Sequence, residues 1–86
     1  MIRLEGMPSK SPPSSPPSAR QRIALNIRRL RKSREMSQEQ LAEVAEFHRT
    51  YVSQLERCVT NITIDGLERL AEALEVDVIE LLQPPR

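Results

Sequence analysis

The fold of this chain is decided by residues 37–57, which read SQEQLAEVAEFHRTYVSQLER. Ser37 and Gln40 have the spacing of a capping box, in which a serine hydroxyl and a glutamine side chain satisfy free N–H groups at a helix start. A short helix is therefore predicted from Gln38, followed by a turn over residues 46–48 and a further helix over residues 49–57. Two short helices joined in this way pack against each other at a wide angle.

The side chains of this segment divide into an inner and an outer set. Ala42 is small enough to let the two helices approach closely, and Leu41, Val52 and Leu55 supply apolar contacts, completed by either Val44 or Ala45. The outer face of the later helix then carries Arg49, Thr50, Ser53, Gln54 and Arg57. This face has hydrogen-bonding groups and no carboxylate, which favours the major groove of DNA, although a solvated surface helix in a plain bundle is the alternative.

The flanking sequence predicts three more helices. Ile23, Ile27 and Leu30 recur at helical spacing, so a first helix is predicted from residue 19 to about residue 34, with Ser18 as its cap. A fourth helix follows Thr63, and a short fifth helix over residues 78–82 follows a cap at residue 77. The prediction is an all-α, compact five-helix bundle over residues 19–86.

Residues 1–18 differ from the rest of the chain. Residues 7–18 read MPSKSPPSSPPS, with five prolines and five serines. Proline removes backbone donors and few apolar groups are present, so a disordered Pro/Ser-rich arm is predicted over residues 1–18. It is either an inert tail or a ligand for an SH3-like partner, and Met7 is an alternative start.

Charge is unevenly distributed although the net charge is only +1. Residues 20–34 hold seven basic and no acidic residues, whereas residues 35–86 hold four basic and eleven acidic ones. Either the basic block faces a polyanion, or the two blocks neutralise each other across the folded core.

Composition excludes several classes of protein. The chain has 86 residues, one Cys, one His and two Gly, which leaves no internal disulfide, no cysteine-based zinc site and no Gly-rich phosphate loop. No apolar run reaches the roughly 20 residues that cross a bilayer. We therefore expect a single cytoplasmic domain that is not an enzyme, with no metal, no cofactor and no membrane association.

Four segments together resemble the phage-repressor-like (Cro/C1, Xre-type) helix-turn-helix family: IRRLR at 27–31, MSQEQLA at 36–42, YVSQLER at 51–57 and LERLAEALEV at 67–76. The resemblance runs from about residue 26 to residue 82 and implies a lambda-repressor-like DNA-binding fold. The compact form is most similar to controller proteins of restriction–modification systems. Phage repressors and antitoxin-type regulators remain alternatives.

The resemblance also implies roles for individual residues. Base-reading positions of the family fall on Arg49, Thr50, Ser53 and Gln54. Phosphate-contacting positions fall on Gln38, Tyr51, Arg57, Asn61 and Thr63. Arg31 and Glu56 fall on a pair that is usually a structural salt bridge.

Three positions depart from the family pattern. Glu46 and Cys58 stand where glycine is common, so a positive φ at either costs about 1 kcal/mol. His48 replaces the usual Ser or Thr cap and is either a surface histidine or a capping or phosphate-contacting group.

The resemblance implies a homodimer that binds a double-stranded DNA operator, with half-sites about 34 Å apart. Candidate dimer residues are Val76, Val78, Ile79 and Leu82, although part of this segment could instead close the core. The alternative function is an antitoxin-type interaction module that neutralises a partner protein and binds DNA secondarily. Possible protein partners are a toxin or RNA polymerase.

Overall fold

A computed structural model describes residues 17–84, and these residues form an all-helical domain. The helices are α1 (Ala19–Ser33), α2 (Gln38–Ala45), α3 (Arg49–Glu56) and α4 (Ile64–Leu74), followed by a 3-10 helix (Val78–Leu81). The all-α prediction is confirmed. The Pro/Ser-rich arm lies outside the described residues except for Pro17 and Ser18.

Side-chain caps fix where the helices begin. Ser18 and Ser37 each accept a hydrogen bond on their hydroxyl oxygen from the backbone N–H of the glutamine three residues on. The backbone N–H of each serine in turn donates to the side-chain oxygen of that glutamine, so both α1 and α2 start with complete capping boxes. Thr63 accepts from the N–H of Gly66 at the start of α4. These local bonds explain why helix starts could be placed from sequence alone.

The segment predicted as a fifth helix forms a 3-10 helix and not an α-helix, so the domain has four α-helices over the described residues. Residues 78–81 instead form i→i+3 hydrogen bonds, with Asp77 capping the N–H of Ile79. Only a few residues separate this cap from Pro84, and such a short run suits the tighter 3-10 geometry.

The core is aliphatic and is shared by all the helices. Its fully buried apolar members come from α1, α2, α3, α4 and the 3-10 helix; they are Ile27, Leu41, Val52, Leu70, Leu74 and Leu81. In α2 the buried position is Ala45, whereas Val44 is 59% exposed. The sequence left open whether Val44 or Ala45 completes the contact between α2 and α3, and Ala45 is the residue that is buried.

Asn26 ties the chain end to α1. Its side chain is buried, and its Nδ2 donates to the carbonyl oxygens of Leu81 at 3.1 Å and Gln83 at 2.9 Å. Because an unpaired buried carbonyl is costly, this amide fixes the C-terminal segment against α1.

Between residues 17 and 84, four non-glycine residues have left-handed backbone conformations: Glu35, Glu46, Cys58 and Glu75. Glu46 and Cys58 are the two positions at which the resemblance suggested a positive φ, and both have φ of 63°. Glu46 ends α2 and makes the turn toward α3. The turn therefore keeps its geometry without glycine, at a cost in backbone strain.

Replacing Glu46 with glycine is expected to raise the free energy of unfolding by about 0.5–1 kcal/mol, because relief of the left-handed strain exceeds the extra chain entropy that glycine loses. Urea denaturation followed by circular dichroism measures the change. The matched control is Glu43→Gly, inside α2, which should lower stability by about 1 kcal/mol. If both variants change the free energy of unfolding by the same amount, the backbone at Glu46 is not strained as proposed.

Candidate nucleic-acid interface

The outer face of α3 consists of neutral polar and cationic side chains. Arg49, Thr50 and Arg57 are exposed, and Ser53 and Gln54 are half-buried. The only carboxylate of α3 belongs to Glu56, whose side chain is 0% exposed. The face therefore presents hydrogen-bonding groups to solvent without a negative charge.

A shallow recess lies between the start of α2 and the start of α3. It is lined by Gln38, Arg49, Thr50 and Ser53. These residues come from both sides of the predicted turn, and the fold brings together three of the predicted base-reading residues and one predicted phosphate contact. Gln54 lies on the same helix but does not line the recess.

The buried Glu56 carboxylate joins α1, α2 and α3. Arg31 donates from Nε to Oε2 at 2.6 Å and from Nη2 to Oε1 at 2.9 Å. Gln38 donates from Nε2 to Oε1 at 3.0 Å, and Arg28 lies 3.5 Å from the same oxygen. The ion pair therefore fixes the position of α3 and also the side chain of Gln38.

These partners keep Glu56 ionised. Burial on its own would raise the pKa of the Glu56 carboxyl, but hydrogen bonds from Arg31 and Gln38, together with the charge of Arg31, outweigh it. The pKa is held below its ordinary value of 4.5. Because the folded-state pKa is depressed, the stability that this carboxylate contributes is present above the ordinary pKa and is lost as pH falls through the folded one.

The loop between α3 and α4 holds the remaining predicted phosphate contacts. Tyr51 donates from its hydroxyl to the Asn61 carbonyl oxygen at 2.8 Å, and burial raises the pKa of that hydroxyl. The Asn61 side chain accepts a hydrogen bond from Arg20. The Thr63 hydroxyl oxygen caps α4, and the residue is exposed.

Arg69 supports the turn between α2 and α3, a role that the sequence did not suggest. Its guanidinium donates to the carbonyl oxygens of Ala45 at 2.8 Å and Glu46 at 2.7 Å, and lies 4.4 Å from the centre of the Phe47 ring. It thereby satisfies free carbonyls at the end of α2. The feature of the sequence that could have indicated this role is that Arg69 is the only basic residue of α4.

His48 and Cys58 flank α3 at its two ends. His48 occupies the N-cap position, is exposed, and makes no side-chain capping bond. Cys58 is half-buried with a free thiol. Over residues 17–84 no three His, Cys, Asp or Glu side chains are grouped to hold a metal, and no helix is long and apolar enough to cross a membrane.

The four candidate dimer residues lie in the C-terminal segment, which packs on α1 and α4. Val76, Val78 and Leu82 are partly buried against the core, whereas Ile79 is 56% exposed. Three of these four side chains therefore pack within the monomer, and Ile79 is the most exposed of the four.

The arrangement of α2 and α3, with the polar face of α3 turned outward, is that of a helix-turn-helix domain. Residues 27–81 match the family model described as Helix-turn-helix. The chain belongs to this family, in its Cro/C1-type branch, and the family consists of transcription regulators.

Relatives with this fold include control proteins. The chain is 45% identical over 60 residues to the control protein C.SmaI of Serratia marcescens, covering 70% of this chain and 71% of that protein. A structure of the hypothetical transcription factor NHTF from Neisseria superposes with a TM-score of 0.78 at 38% identity, covering 87% of this chain and 90% of that one. The restriction–modification controller protein C.AhdI from Aeromonas hydrophila gives a TM-score of 0.70 at 32% identity, covering 72% and 94%.

Proposed function

We propose that residues 19–86 form a sequence-specific regulator that binds an inverted-repeat operator in double-stranded DNA as a homodimer, with α3 in the major groove. The observation that carries this proposal is the outer face of α3. Its side chains are exposed or half-buried hydrogen-bonding groups, while the only carboxylate of the helix is buried. A face of this chemistry suits base edges between two rows of phosphates.

Some of these residues would read the base sequence, and others would position the protein on the DNA backbone. Arg49 is suited to a bidentate contact with guanine, Gln54 to adenine, and Thr50 and Ser53 to either base type. Gln38, at the first position of α2, would donate to a backbone phosphate. Tyr51, Arg57, Asn61 and Thr63 would contact phosphates beside it and fix the register of α3.

The dimer would form through the C-terminal segment, with Ile79 at its centre. Around Ile79, the dimer contact would include the parts of Val76, Val78 and Leu82 that stay accessible in the monomer. The relative C.AhdI is described as a restriction–modification controller, which favours control of such a system over the prophage and antitoxin settings. Concentration-dependent dimerisation coupled to DNA binding would then make the protein its own regulator in the cytoplasm.

Replacing Ile79 with aspartate is expected to shift the monomer–dimer midpoint upward by about tenfold or more, because the variant places a charge in an apolar contact. Analytical ultracentrifugation over a concentration series measures the midpoint. Val44→Asp is the matched control, since Val44 is similarly exposed at 59% but lies on α2. A wild-type chain that stays monomeric with and without DNA would contradict the dimer proposal.

Binding to the DNA upstream of the protein's own gene tests the function directly. An electrophoretic mobility shift with that duplex should give an affinity about 10³-fold or more above that for an unrelated duplex of equal length. Equal affinity for both duplexes would count against an autoregulator.

A second candidate function is favoured by the acidic side of α4. Asp65, Glu68, Glu72 and Asp77 line an open recess with Arg69. Such a surface could hold a basic toxin, as an antitoxin-type module would. A toxin gene beside this gene would favour that function, whereas a nuclease or methyltransferase gene would favour restriction–modification control.

A further inference from the structure

Arg28 of α1 lies at the edge of the proposed interface, next to Gln38, which is predicted to contact a phosphate. Its Nε is 3.5 Å from Glu56 Oε1, the same oxygen that accepts the hydrogen bond from Gln38 Nε2 at 3.0 Å. Arg31 Nη2 also donates to this oxygen, at 2.9 Å, and the shared acceptor keeps the donor nitrogens of Arg28 and Gln38 close to each other. Because Gln38 also lines the recess at the start of α3, Arg28 continues the row of donors from that recess onto α1.

The charges of this cluster do not cancel. Glu56 supplies one negative charge, whereas Arg28 and Arg31 supply two positive ones. Arg31 already makes two short bonds to the carboxylate, and its side chain is 10% exposed. The Arg28 side chain is 52% exposed, so the surplus positive charge reaches solvent at Arg28.

The guanidinium of Arg28 has donors left over. A guanidinium carries five N–H groups in a planar fork. Within the part of the chain that the structure describes, the Arg28 side chain makes its hydrogen bond from Nε alone, and this bond is long at 3.5 Å. The terminal nitrogens can therefore present a fork to an anion while Nε stays on Glu56.

We propose that Arg28 binds a DNA backbone phosphate beside the one that Gln38 contacts, so that α1 as well as α2 fixes the protein on the duplex. A phosphate accepts two parallel bonds from a guanidinium, which gives orientation as well as affinity. Glu56 holds both donors at a fixed spacing and links them to α3. This inference rests on the proposed function, because it requires that α3 and Gln38 face DNA.

Arg29 provides a matched control in the next position of the same helix. It has the same charge, but its Nη2 donates to Asn26 Oδ1 at 3.3 Å, toward the residue that holds the C-terminal segment. Arg28→Gln and Arg29→Gln therefore change net charge equally while removing cations from different sides of α1.

The test is a fluorescence-anisotropy titration of a duplex that the wild-type protein binds, at several salt concentrations. Arg28→Gln should bind about 5- to 20-fold more weakly, both to this duplex and to unrelated DNA. Its slope of log affinity against log salt should be shallower by about 0.9 for each lost contact, or nearly 2 for a dimer. Arg29→Gln should stay close to wild type in both respects.

Arg28→Lys separates loss of charge from loss of structure. It keeps the cation, so its salt slope should match wild type even though the bidentate fork is gone. The inference is overturned if Arg28→Gln titrates like Arg29→Gln, or if Arg28→Lys loses as much slope as Arg28→Gln. If the wild-type protein binds no duplex, both the proposed function and this inference are contradicted. If the wild type binds DNA and Arg28→Gln binds it with the same affinity and salt slope, only this inference is overturned.

Discussion

Arg31→Met is expected to lower the free energy of unfolding by about 3–5 kcal/mol, because it leaves the buried Glu56 carboxylate without its main counter-charge. The Glu56 side chain is 0% exposed, and Arg31 donates two of its hydrogen bonds at 2.6 and 2.9 Å. A loss of this size is a large share of the stability of a small domain. Urea denaturation at pH 7 measures it.

The double variant Arg31→Met/Glu56→Leu is the control. Replacing both members of a buried ion pair with apolar groups is often neutral or stabilising, so this variant should regain most of the loss. If Arg31→Met lowers the free energy of unfolding by less than about 1 kcal/mol, the Arg31–Glu56 ion pair does not have the stabilising role proposed for it.

The same pair predicts how stability depends on pH. In the wild type the pKa of Glu56 is depressed, so its contribution should stay constant from pH 7 to about pH 5 and decline below the ordinary pKa. In Arg31→Met the buried carboxyl loses its cation, so its pKa should rise and mild acid should protonate it. Lowering the pH to about 5 should therefore narrow the difference from wild type.

Arg49→Ala is expected to weaken binding to the operator by about 1–3 kcal/mol, or roughly 5- to 150-fold, and to relax the preference at one base pair. Arg49 is exposed and lines the recess with Gln38, Thr50 and Ser53. Titration of the operator and of its single-base variants measures both effects.

Arg57→Ala is the control for base reading, because Arg57 is an exposed cation just past the end of α3. It should weaken all sequences alike and give a shallower salt dependence, without relaxing any base preference. If Arg49→Ala discriminates among single-base variants as wild type does, the assignment of Arg49 as a reader is wrong.

Local sequence predicted most of the fold. The Ser37–Gln40 capping box, the Thr63 cap and the aliphatic periodicity of α1 and α4 act within one or two turns, so they can be read without tertiary information. The fifth helix was predicted in the wrong form, since a cap and a few apolar residues do not separate a 3-10 helix from an α-helix. The left-handed positions Glu46 and Cys58 were expected only because the family often has glycine there, and Glu35 and Glu75 were not singled out.

The parts of the site that sequence did not suggest depend on contacts between distant residues. Arg69 reaches Ala45 across 24 positions, Arg28 reaches Glu56 across 28, and Asn26 reaches Leu81 across 55. Helical periodicity places such residues on a face but does not tell which partner lies opposite. The base-reading and phosphate-contacting roles stay predictions, now with the positions of their side chains defined.

Selection of bound duplexes from a random DNA pool tests the central claim most directly. If α3 reads bases in a two-fold dimer, the recovered sequences should contain an inverted repeat whose half-sites are centred about 34 Å apart. The same selection with Arg49→Ala should lose information at one position in each half-site. Recovery of no common sequence, with only weak binding that disappears as salt is raised, would contradict the account.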